Sequence, residues 1–187
     1  MLRELVANGE LAPIGGTAFA VTPALREAYA SGDDEELGEV AIGEAARASL
    51  RLLAAEREQI AESDQDAAEA ANTANTENAA PTDDAAPVAP GSSVYRRAVI
   101  AADVTGAKLR PDLDDAVVRL AGPIGYPQIA SVHVDLADAE PEVAKAVDVI
   151  DAADLGDTDA EFVLGDAEDH QLAWYAAQEL PFLLDLL

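Results

Sequence analysis

A histidine and an aspartate two residues apart are the pattern in this sequence most able to do chemistry: His133 and Asp135, within Ala130–Leu136. Because the segment alternates as a β-strand does, the two side chains point to one side, about 7 Å apart by strand geometry. With Asp138 or Glu140 nearby, they could bind a hard metal ion or form an acid–base pair. A half-solvated strand face explains the same residues. We favour that second interpretation, because such short patterns arise easily by chance.

The second histidine, His170, lies beside Glu168 and Asp169 in what we predict to be the first turn of the last helix. A histidine with a carboxylate neighbour could be a catalytic residue. Such neighbours are common in so acidic a chain, so His170 is a weak candidate.

Two further pairs could carry binding rather than catalysis. Trp174 and Tyr175 are of types enriched at binding hot spots, so they are candidates for partner contact. Anchoring the core is the interpretation that ordinary burial tendencies favour. Arg96 and Arg97 alternate onto opposite strand faces and do not form one anion clamp, so we expect each to pair with a local acid.

Known catalytic and cofactor motifs are missing from the sequence. It has no glycine-rich phosphate loop, dinucleotide fingerprint, nucleophile elbow or His-Glu-x-x-His. With no cysteine, the sequence excludes disulfides, thiolate catalysis and cysteine-based zinc sites. We expect no cofactor.

The charge of the chain limits its partners. Eleven basic residues against 37 acidic ones give a net charge of −26. Since phosphate contacts need clustered Lys and Arg, we expect neither a nucleic-acid nor a membrane partner. No apolar run approaches a membrane span and no signal peptide is visible, so we predict a soluble cytoplasmic protein.

Two strands must position the candidate residues. Tyr95–Val104 has apolar residues on both faces and is predicted to be the central strand. Ala130–Leu136 is its predicted neighbour, with Val132 and Val134 on one side. With the helices these strands predict an α+β fold, in which helices pack mainly on one face of a mixed or antiparallel sheet.

Further elements follow from local signals. Thr22 and Pro23 predict a helix start, and Asp33 with Glu36 resembles a capping box that opens the longest helix. The acidic cluster at that start could be a metal site, but a capped helix is the interpretation we favour.

Strands are also predicted at Thr17–Val21, at Asp114–Leu120, for which a short helix is the alternative, and at Glu161–Leu164. Pro141 is predicted to begin a helix. The last helix is predicted to be capped by Asp166 and to carry Trp174 and Tyr175.

The chain is predicted to be one domain, residues 1–187, with an insertion at 58–93. That stretch has eight acidic residues and no basic one, so it buries too little apolar surface to offset its ordering entropy. We expect the long helix to fray between Glu56 and Ala70, and residues 71–93 to be disordered.

The start of the chain departs from what such a domain usually shows. Leu2–Asn8 is predicted to be helical, with neither a preceding strand nor an N-cap residue. We therefore expect the native start to lie upstream of Met1, with a strand ahead of this helix.

Three segments, Thr17–Ala54, Ala130–Val147 and His170–Leu180, resemble an uncharacterised family of small acidic actinobacterial proteins, a domain of unknown function. The resemblance implies no activity, cofactor or catalytic residue. Two hypotheses remain. The first, which we favour, is a non-catalytic cytoplasmic interaction or regulatory protein with a protein partner. The alternative is an enzyme or metal-binding protein that uses His133, Asp135 and nearby carboxylates.

Overall fold

The structure is a computed structural model that describes residues 2–74 and 94–186, with side chains described outside residues 66–74 and Leu186. The helices are α1 (Leu2–Asn8), α2 (Pro23–Ala28), α3 (Asp34–Ala74), α4 (Glu140–Asp154), α5 (Thr158–Glu168) and α6 (Leu180–Leu186). The strands are β1 (Glu10–Leu11), β2 (Thr17–Phe19), β3 (Ala98–Ala102), β4 (Lys108–Leu109), β5 (Val117–Arg119), β6 (Ile124–Gly125), β7 (Ile129–Val134) and β8 (Ala173–Ala176).

Every strand pairing in the described part is antiparallel, which confirms the α+β prediction. The strands divide into three small sheets of order β1–β6, β2–β5–β4 and β3–β7–β8. The predicted strands at Thr17–Val21 and Asp114–Leu120 are present in shorter form as β2 and β5, which pair with each other.

The position of the central strand differs from the prediction. β3 pairs with β7, as expected, but β7 lies in the middle of its sheet and β3 at the edge. The reason is β8, a segment predicted to be helical, which takes the free side of β7. The most regular alternation in the sequence therefore belongs to the strand with two neighbours.

Helix starts follow the predicted caps. The Thr22 hydroxyl accepts a hydrogen bond from the Leu25 N–H at 3.1 Å, with Pro23 in the first turn of α2. At α3 the Asp33 carboxylate accepts from the N–H of Glu36, and the Glu36 carboxylate accepts from the N–H of Asp33, both at 3.0 Å. This reciprocal pair is a capping box, which confirms the structural interpretation of the acidic cluster.

The long helix extends further than expected. The prediction that it frays between Glu56 and Ala70 is wrong, because α3 continues to Ala74. Alanine and glutamate are strong helix formers, so local propensity extends the helix. Four residues of the range 71–93, predicted to be disordered, are thus helical, and residues 75–93 lie outside the described residues.

The predicted strand at Glu161–Leu164 is wrong, because this segment lies inside α5. The Asp157 carboxylate caps that helix by accepting hydrogen bonds from two N–H groups, at 2.9 and 3.0 Å. Ala160, Leu164 and Ala167 form its buried face. Their spacing of four and three residues is that of a helix rather than a strand.

The predicted last helix is replaced by a strand and a shorter helix. Asp166 lies within α5 and does not cap a new helix, and Trp174 and Tyr175 lie on β8. Aromatic residues have strong β-propensity, and pairing with β7 decides the outcome. Pro181 lies in the first turn of α6, where proline is well tolerated.

Two apolar clusters hold these elements together. One joins α3 to α4 and α5 through buried residues that include Leu50, Val143, Ile150 and Leu164. The other packs α1 and α6 on the face of β7 that carries Val132 and Val134. None of the described helices combines the length and the hydrophobicity that a membrane span requires.

Candidate functional site

The sheet β3–β7–β8 holds most of the candidate residues, and its two faces differ in character. On the first face, Ile100, Val132 and Tyr175 form one cross-strand row against the apolar cluster of α1 and α6. On the second face, Val99, His133 and Trp174 form the matching row. We call this second set the Trp174 row.

His133 is half-buried in the middle of the Trp174 row. Its Nε2 lies 3.1 Å from the hydroxyl oxygen of Ser131, which is buried. Burial lowers the pKa of His133 below its ordinary value, so the neutral imidazole is favoured. The prediction that this face is half-solvated therefore needs correction at Ser131.

Asp135 is committed to a structural ion pair. Its carboxylate accepts hydrogen bonds from the backbone N–H, the Nε–H and an Nη2–H of Arg97, all at 2.8 Å. Both residues are almost fully buried, with Asp135 only 1% exposed and Arg97 2% exposed. The predicted half-solvated environment is thus wrong for Asp135, because a buried guanidinium surrounds its carboxylate.

Asp138 and Glu140, the acidic residues predicted near a site at His133, have other environments. Glu140 accepts a hydrogen bond from Arg96 Nε at 2.6 Å, and Asp138 is exposed in the turn before α4. Arg96 and Arg97 thus each pair with an acidic residue, as predicted. Within residues 2–74 and 94–186, no group of three or more His, Asp or Glu side chains is arranged to hold a metal ion.

His170 lies in the loop after α5 rather than in the first turn of the last helix, so its predicted position is wrong. Its Nε2 is 3.9 Å from a carboxylate oxygen of Glu142 on α4, a long contact. Its backbone carbonyl accepts a hydrogen bond from Arg97 Nη2 at 2.8 Å. The contacts of His170 therefore support the loop around the Arg97–Asp135 pair.

Trp174 and Tyr175 have opposite environments. Tyr175 is half-buried and packs against the apolar cluster, as core anchoring predicts. Trp174 is 60% exposed, so core anchoring is wrong for it. The two rings are separated because successive side chains of a strand point to opposite faces. The prediction of a helix for this segment did not include that separation.

Trp174 also lies on an edge. β8 is the last strand of its sheet, and among the described residues no strand pairs with its outer side. An exposed edge presents unpaired backbone groups to which another chain can add a strand. Sequence reasoning missed this edge; the two adjacent aromatic residues, whose type favours a strand, were the local signal for it.

Comparison with known proteins identifies a family of unknown function. The model of the family of unknown function DUF6912 matches residues 1–184. No curated protein and no solved structure matches the chain.

Proposed function

Since the chain belongs to DUF6912, a family of unknown function, we propose a function from the site itself: a non-catalytic interaction or regulatory protein of the cytoplasm that binds a protein partner. The observation that carries the proposal is the exposure of Trp174 on the edge strand β8. A tryptophan is the residue type most enriched at interface hot spots.

The mode of binding follows from the strand edge. An extended segment of a partner adds to β8 through backbone hydrogen bonds, and its side chains on one face contact Trp174. The indole then loses the solvent exposure that it has in the free protein. Tyr175 holds β8 against the apolar cluster from the other face, so the edge is fixed before the partner arrives.

The net charge of the chain indicates which kind of partner segment it binds. At −26, long-range attraction favours a segment rich in Lys and Arg and repels acidic ones. An extended basic segment of a cytoplasmic protein therefore fits this edge best. Association is expected to weaken as salt rises, because screening reduces the attraction between exposed charges.

The alternative, an enzyme or metal-binding protein built on His133 and Asp135, has less support. Asp135 would have to leave three hydrogen bonds from Arg97 to contact a ligand. Loss of these hydrogen bonds would leave a buried guanidinium without its counter-charge, at a cost of several kcal/mol.

A displayed library of short random peptides tests the proposed binding mode. We expect selection on the wild-type protein to enrich basic, β-prone sequences. These peptides should bind Phe162→Ala normally and Trp174→Ala weakly; Phe162 is an aromatic residue on α5 that is 78% exposed, which makes it a matched control. Enrichment of acidic peptides, or equal binding to both variants, would contradict the proposal.

Hydrogen–deuterium exchange separates strand addition from contact through the indole alone. With a selected peptide bound, the amides of Ala173–Ala176 should exchange more slowly if the peptide adds a strand to β8. Unchanged exchange there would contradict strand addition.

A further inference from the structure

Three basic side chains gather on one face of the sheet β2–β5–β4: Lys108, Arg110 and Arg119, here called the basic cluster. Lys108 lies directly opposite Arg119, and Thr17 lies opposite Arg119 on its other side. Strand alternation places Arg110, two residues after Lys108, on the same face. The N–H of Arg110 extends the pairing by donating to the Val117 carbonyl at 3.0 Å.

This arrangement has an electrostatic cost. Like charges directly opposite each other on neighbouring strands are destabilising. Eight of the eleven basic residues form ion pairs with carboxylates, namely Arg26, Arg47, Arg51, Arg57, Arg96, Arg97, Arg110 and Lys145. Within the described residues, no ion pair to a carboxylate involves Lys108 or Arg119. In a chain of net charge −26, two adjacent cations that have no carboxylate partner in the described part of the structure are unexpected.

A cavity lies against the basic cluster. Its volume is about 210 Å³, and its lining includes Gly15, Thr17, Leu113, Arg110 and Arg119. Arg110 donates two hydrogen bonds to the Asp112 carboxylate, from Nε at 2.8 Å and from Nη2 at 2.7 Å, and these hold the Arg110 guanidinium at this cavity. Asp112 balances the charge of Arg110, so in the basic cluster the charges without a carboxylate partner among the described residues are those of Lys108 and Arg119.

The turn beside the cavity depends on a glycine. Gly16 has φ +71°, and a Cβ there would lie 2.9 Å from the Leu120 carbonyl oxygen and 3.4 Å from Arg119 Cγ. Only glycine therefore lets this turn approach Arg119 so closely. The close approach brings Thr17, with its hydroxyl donor, into the same row as the two cations.

We infer that this cavity binds the phosphoryl group of a small molecule. Arg119 lines the cavity, and Lys108 lies directly opposite Arg119 on β4, so a phosphoryl dianion bound there is close to two cations without carboxylate partners among the described residues. The planar fork of an arginine also matches the phosphoryl oxygens. The volume is below that of sites for drug-sized ligands, so the ligand is small. A polyanion such as nucleic acid does not fit, because the acidic remainder of the surface repels it.

Titration with inorganic phosphate at constant ionic strength tests the inference. Calorimetry should show saturable binding, and amide spectra should show shifts at Gly15, Thr17 and Arg119. Arg119→Gln should weaken binding at least tenfold. Arg3→Gln should not, although it removes the same charge from another exposed arginine. Lys108→Gln gives a second test if Arg119→Gln does not fold.

Three outcomes would overturn the inference. They are no saturable phosphate binding to the wild-type protein, amide shifts that map away from the cavity, and equal weakening in Arg119→Gln and Arg3→Gln. The last would mean that phosphate responds only to overall charge. Chloride at the same ionic strength should produce none of the shifts.

Discussion

His133 and Trp174 lie directly opposite each other on β7 and β8, yet only the tryptophan is largely open to solvent. Along their row, exposure rises from 7% at Val99 on β3 to 60% at Trp174. One continuous sheet face thus passes from the interior to the surface across three strands. His133, the candidate for metal binding or acid–base chemistry, is on the inner part of that face, and Trp174, the candidate for partner binding, is on the outer part.

The pH dependence of stability should reveal His133. Burial lowers its pKa in the folded state, so near and below the unfolded value of about 6.5 the unfolded chain binds more protons. Stability therefore falls as pH drops through this range. We expect the wild-type melting temperature to fall more than that of His133→Gln between about pH 7.5 and about pH 5.5.

The titration of Glu44 has the opposite effect on the pH dependence of stability. Burial, and then the charge of Asp114, raises the pKa of Glu44, so its contribution favours the folded state as pH falls. Because both proteins contain Glu44, the comparison with His133→Gln removes its effect. The same pH dependence in the two proteins would contradict the burial of the imidazole.

Removing one member of the Arg97–Asp135 pair should be severe. Asp135→Asn leaves a buried guanidinium without its counter-charge, and we expect a loss of about 3–5 kcal/mol in the free energy of unfolding. Denaturant unfolding measures it. Replacing both residues, with Arg97→Met and Asp135→Leu, should recover part of the loss because no unpaired charge stays buried.

An exposed ion pair provides the control. Asp154 accepts two hydrogen bonds from Arg51 at 2.6 Å, at the surface. Asp154→Asn removes the same charge, with an expected loss of about 0–1 kcal/mol. If Asp135→Asn lowers the free energy of unfolding no more than Asp154→Asn does, burial does not determine how much the Arg97–Asp135 pair contributes to stability.

Divalent metals test the alternative function. Because Arg97 occupies the Asp135 carboxylate, we expect Zn²⁺ and Mn²⁺ to leave the melting temperature unchanged in both the wild-type protein and His133→Ala. A ligand that binds only the folded state raises its stability, so a thermal-shift titration detects binding directly. A metal-induced rise in the wild-type protein that disappears in His133→Ala would favour the metal-binding hypothesis.

Local signals in the sequence were enough for several elements. The side-chain caps at Thr22 and Asp33 were predictable, because such caps involve residues two to three positions apart. So was the buried face of α4, since Val143, Ala146, Val147 and Ile150 recur at helical spacing.

The candidate site was less predictable, because it depends on pairing between distant segments. β8 adds to β7 across about forty residues of chain, and only that pairing separates Trp174 from Tyr175. The basic cluster depends on β4, a strand of two residues that is too short to show alternation. The burial of Asp135 depends on Arg97, 38 residues away.

The most direct test of the proposed function compares the proteins that wild-type, Trp174→Ala and Phe162→Ala capture from a lysate of the native cells. Loss of a hot-spot tryptophan costs at least about 2 kcal/mol, roughly thirtyfold in affinity. We predict a specific partner that wild-type and Phe162→Ala retain at low salt, that is released as salt rises, and that Trp174→Ala fails to retain. Identical sets of captured proteins for all three would contradict a binding role for the β8 edge.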